Sequence, residues 1–263
     1  MQLQTKSSNP VLRNTLDNTY INASPYNNEQ SGFLTRSNVV RATLFLLLIV
    51  SVTAYGVIKI GKDNPSLALS MNLVGVFGAI IMGMVISFNH KAQRGSAILS
   101  TIFAIFEGLM VGGFTYSIGM NINIQGSNGI NIVLQAIIGT ISLFFVAMFL
   151  YGSRIIDVNK KFTSFVIYAS MGFGAMYLVN LGISLITGTN LLFSSGPIPI
   201  IIGVLAIILG CLSLLVDLKN VDVATNAGVP SQFKWTLAIG LMTSIVWIYM
   251  EILRVLYLTL TRQ

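Results

Sequence analysis

The chain has 263 residues, 54% of them hydrophobic and only 9% charged, far below the roughly 25% charged residues with which soluble domains solvate their surfaces. Its mean hydropathy of +0.80 is concentrated in blocks of about 20 apolar residues, the length at which a helix crosses a hydrocarbon layer. The net charge of +7 does not point to nucleic acid, because the basic residues stand singly in short loops and form no continuous stripe.

Residues 1–40 are Asn-rich and hold neither sustained periodicity nor a signal-peptide-like apolar core, and read as a flexible polar tail. The remainder, 41–263, reads as one membrane domain. Span one starts near Arg41 and ends at the turn-forming Gly61-Lys62-Asp63-Asn64-Pro65. Spans follow at about Leu67–Phe88, Ser96–Ile118, Ile132–Tyr151, Phe162–Ile186, Ile200–Leu218 and Trp235–Leu258. The expected fold class is therefore all-α, a polytopic bundle of seven transmembrane helices.

Eleven of the 15 Lys and Arg residues fall on the side of the N terminus, among them Arg36, Arg94, Arg154 and Lys219. The positive-inside rule then places the N terminus in the cytoplasm and the C terminus outside. Small residues recur at four-residue spacing, as Gly75, Ala79 and Gly83 in span two and Gly108 with Gly112 in span three, and permit close helix approach. Trp235 stands where an interfacial anchor is expected, whereas Trp247 lies deeper, as packing residues do.

Several chemistries drop out. His90 is the only histidine and lies in a loop, so neither a two-histidine metal site nor a Ser/His dyad inside the bundle can be built. The single Cys211 excludes an intramolecular disulfide and a cysteine metal site. Phosphate-loop and nucleophile-elbow motifs are missing, and Asp217 lacks the Gly-x-Gly-Asp context of intramembrane aspartyl proteases. The chain reads as a non-enzyme without a cofactor.

Three acids inside apolar blocks remain: Glu107, Asp217 and Glu251. A carboxylate at a helix centre costs about 2.5–3.5 kcal/mol on translocon-type scales, so such residues face the bundle interior and mark ion or proton paths. Each also has a plainer reading. Glu107 could be a neutral packing acid, Asp217 could sit at a wet helix end, and Glu251 could pair with Arg254 three residues on. Arg94, in the loop between spans two and three, is a candidate partner for Asp217. If the spans run as assigned, Asp217, Glu107 and Glu251 lie at successive depths, a ladder for a cation.

Phe106-Glu107-Gly108-Leu109, VLQAIIGT from Val133, FLYGSRIIDVNKKFT from Phe149, LVNL from Leu178 and WIYMEILRVL from Trp247 together resemble the bacterial branch of the Bax inhibitor-1/YccA-like family. The resemblance covers about Arg41 to Leu256. It implies a bundle with helix seven surrounded by the other six, set in a bacterial cytoplasmic membrane, and a pH-sensitive calcium leak through acids on helices six and seven. In that pattern Asp217 matches the helix-six aspartate, whereas the helix-seven aspartate is replaced by Ser244. Two close carboxylates share a proton and titrate as a coupled pair, which a serine hydroxyl cannot do.

Two functions follow. In the first, the chain is a passive pH-sensitive cation leak, with calcium the implied ion because hard divalent cations take carboxylate oxygens. Asp217 is then the gate acid, Glu107 and Glu251 line the path, Asp217 and Glu107 are transient calcium ligands, and Arg94 is the latch cation. In the second, the chain transports nothing and binds a membrane protease or another membrane partner through its polar tail. A proton-coupled transporter is a weaker third reading, because no inverted repeat or pair of broken helices is visible.

Overall fold

Several helix boundaries follow from local chemistry in the computed structural model, which describes residues 32–88, 96–124, 129–194 and 196–260. Thr35, in extended conformation, accepts the Asn38 amide at 3.3 Å and caps α1 (Arg36–Asp63). Only Asn64 separates α1 from α2 (Pro65–Phe88), whose first residue is a proline that forfeits no helical hydrogen bond. Ser96 accepts the Leu99 amide at 3.3 Å ahead of α3 (Ala97–Ile124), and α4 spans Gly129–Gly152. Asn159 caps α5 (Lys160–Thr187), which Gly188 ends with a φ of 71°. Then come α6 (Pro197–Asn226) and α7 (Lys234–Leu260). All seven are long and apolar enough to cross a membrane.

α7 is the hub. It packs against α1, α3, α4 and α6, while α5 leans on α6 and α2 lies outside α3 and α1. The stripes of small residues serve these contacts. A Cβ on Gly75 would run into the Met110 backbone of α3, and one on Gly112 would lie 2.7 Å from Ala54 of α1. With no hydrophobic force between helices in lipid, such close backbone approach supplies the van der Waals attraction that holds them.

Two expectations are corrected. The first helix begins at Arg36, five residues earlier than Arg41, and the residues ahead of it are tied down. The Leu34 amide donates to Val229 O at 2.9 Å, the Ser231 amide donates to Gly32 O at 3.0 Å, and Leu34 is buried. Most of the expected tail, residues 1–31, lies outside the described residues. Secondly, α6 does not stop at Leu218. Its hydropathy falls there, but Leu214, Val221 and Ala224 keep one face buried and carry the helix to Asn226. Asp217 therefore sits within a helix, not at its wet end.

Candidate functional site around the last helix

α6 meets α7 along a seam repeating every seven residues. A Cβ on Gly203 would collide with Val255, and one on Gly210 would come within 2.8 Å of Ile248. Seven residues on from Gly210, the seam reaches Asp217. Gly240, on α7, lets the acid approach, since a Cβ there would stand 3.1 Å from Asp217 Oδ1. One helical turn further along α7, the Ser244 hydroxyl donates to Asp217 Oδ2 at 2.5 Å, with the Ser213 hydroxyl 3.3 Å from Ser244 Oγ. Asp217 and Ser244, singled out from the sequence, are thus in direct contact.

Glu107 approaches from α3 on another side of α7. The Thr243 hydroxyl donates to Glu107 Oε1 at 3.0 Å, and Glu107 Oε2 is buried without a hydrogen-bond partner among the described residues. Thr243 and Ser244 are consecutive, so the two acids meet α7 at one level but about 100° apart around its axis. They flank the helix. The expected ladder of three depths is therefore reduced to two levels, because Glu251 lies seven residues, or about 10 Å, further along.

Glu251 is enclosed by partners. Arg254 donates to its Oε2 through Nε at 3.1 Å and Nη2 at 2.6 Å, and the Tyr177 hydroxyl of α5 donates to Oε1 at 2.5 Å. The guanidinium stacks 5.4 Å from the centroid of the Tyr177 ring and is only 2% exposed, so the pair is interior and not interfacial. Gly203 again makes room, because a Cβ there would lie 3.4 Å from Arg254 Nη2. Arg254 Nη1 has no hydrogen-bond partner among the described residues.

All three acids are turned away from lipid, with Glu107 and Glu251 buried and Asp217 half-buried. No cluster of three or more His, Cys, Asp or Glu residues occurs among the described residues, so Asp217 and Glu107 belong to no preassembled metal cage. Arg94, the candidate latch, lies outside the described residues. Trp247 packs half-buried in the core beside α6, and the Trp235 ring meets Phe45 edge-on near the start of α7.

Tyr177, Thr243 and Gly240 were not singled out from the sequence, and neither was a polar cluster at the N-terminal face of the bundle. There Arg36 of α1 pairs with Asp222 of α6 at 2.8 Å, and the Tyr151 hydroxyl of α4 donates to the same carboxylate at 2.6 Å. Gly240 and Ser244, four apart, face Ser213 and Asp217, also four apart. That matched spacing was the available signal.

Seven apolar crossings, the last of which gathers interior carboxylates, define a polytopic membrane protein of all-α architecture. Residues 9–260 match the family described as Bax inhibitor 1 like. The match covers nearly the whole chain, and the protein belongs to that family. No curated protein matches it.

Proposed function

We propose that the protein is a passive cation leak in a bacterial cytoplasmic membrane, N terminus inside, with calcium the permeant ion and Asp217 the gate acid. The supporting observation is the α6–α7 contact. A carboxylate held, among the described residues, by one serine hydroxyl stands at a glycine-lined seam between two helices, and no ion pair among those residues joins the two helices there. Carboxylate and hydroxyl oxygens are ligands that a hard divalent ion accepts in passing. Glu107, whose Oε2 is buried without a hydrogen-bond partner among the described residues, is a second acid at the same level on another side of α7. No reaction chemistry is required.

The test is calcium flux in proteoliposomes across pH. Asp217→Asn is expected to flatten the pH dependence and change the flux, and curves identical to wild type remove Asp217 from the gate. Because the contact holds one carboxyl, the wild-type profile is expected to follow a single-proton curve. Ser244→Asp rebuilds a two-carboxyl contact and is expected to split it into two separated steps.

The single carboxylate also favours a second reading, in which this chain has lost the gate and regulates a membrane protease or other partner through its N-terminal segment. Removing residues 1–31 then abolishes co-purification of the partner and leaves liposome flux at background with or without the deletion.

A further inference from the structure

The N-terminal face holds a cavity of about 1000 Å³ bounded by α1, the end of α4, the loop after it and α6. α1 and α4 both pack on α7 but share no extended contact, so a gap separates them. Val40 on one side and Met148 on the other line the cavity and remain exposed, which opens this gap toward the acyl chains. Leu218 and Leu241, neighbours of Asp217 and Gly240, form part of its wall.

The mouth is basic. Arg36, Arg154 and Lys219 line it together with Asp157 and Asp222, and exposed Lys160 and Lys161 begin α5 beside it. Asp222 is already occupied by Arg36 and the Tyr151 hydroxyl. Arg154 and Lys219 make no ion pair among the described residues, leaving two free cations against Asp157. Arg154 also holds a φ of 53°, alone among the described non-glycine residues in being positive. That left-handed conformation after a helix end normally selects glycine. Here it carries a guanidinium at the cavity mouth.

We propose that this cavity binds an acidic phospholipid, its phosphate held by Arg154 and Lys219 and an acyl chain lying in the α1–α4 gap against Val40 and Met148. A basic mouth at the headgroup level joined to an apolar slot open to lipid matches the two halves of such a molecule. A soluble anion fits only the mouth. The bound lipid closes the approach to the Asp217–Ser244 contact from this face, since Leu218, next to Asp217, and Leu241, three residues before Ser244, form part of the cavity wall.

The test reads binding, not flux, and so stands apart from the leak. Full-length protein in detergent is titrated by native mass spectrometry with phosphatidylglycerol, with phosphatidylcholine of the same chains, and with glycerol phosphate. Phosphatidylglycerol is expected to bind more tightly than both. The double variant Arg154→Gly, Lys219→Gln is expected to lose about 30-fold in that affinity, from two cations near an acidic headgroup. Glycine suits the backbone at position 154, so this variant is expected to fold. Met148→Trp fills the slot without changing charge and is expected to weaken lipid binding, while Lys62→Gln at the other end of α1 changes nothing. Equal binding of phosphatidylcholine, or full retention of phosphatidylglycerol by the double variant, overturns the proposal. Glycerol phosphate binding as tightly as the lipid also overturns it, in favour of a free-phosphate site.

Discussion

Two carboxylates bonded along α7, Glu251 and Asp217, differ in how completely their surroundings answer them. Glu251 receives two bonds from Arg254 and one from Tyr177, with Gly203 letting the guanidinium in. Among the described residues Asp217 receives one bond, from Ser244, and faces a glycine. A saturated buried charge is fixed in place, because moving any partner strands the other. An acid with one neutral donor can exchange that donor for an ion or water at modest cost. Burial of a charge in a membrane bundle therefore does not by itself mark a path, and its partners decide which role it can serve.

The strongest way to break this comparison is to strip Glu251 of its cation. Arg254→Met leaves an uncompensated buried carboxylate and is expected to cost about 3–5 kcal/mol in thermal unfolding, with part recovered by adding Glu251→Gln. If the single variant is as stable as wild type, the saturated site is not structural. Tyr177→Phe removes one bond between membrane helices to the acid and is expected to cost up to about 1.7 kcal/mol by the same measurement.

Around the other level the stability effects shrink. Thr243→Val at Glu107 is expected to cost about 0.6 kcal/mol, the average for a hydrogen bond between membrane helices, with about 1.7 kcal/mol the upper bound. Ser244→Ala removes the donor to Asp217 and is expected to cost no more than that, while flux responds clearly. A large stability loss with unchanged flux at Ser244 would reverse the assignment of the two sites.

Much of the fold was legible because hydropathy and length alone decide whether a helix crosses lipid. The end of α6 was misplaced because hydropathy drops after Leu218 while the buried stripe of Val221 and Ala224 continues, and only the packing of that stripe extends the helix. The start of α1 was missed because the hydrogen bonds of Gly32 and Leu34 run to residues 229–231, some two hundred positions away. The acids were visible as ionisable residues in apolar blocks. Their partners were less so, apart from Arg254, which sits on the same helix turn as Glu251.

From the sequence alone came the number of crossings, the interior acids and the family pattern. These depend on side-chain chemistry and on spacing along one helix, which a linear string carries. Which helix each acid meets, that Glu107 and Asp217 flank α7 at one level, and that an apolar slot opens beside a basic mouth were decided by tertiary structure. Such facts depend on the rotation and depth of helices relative to one another, set by where glycines allow backbones to touch, and no single segment encodes them.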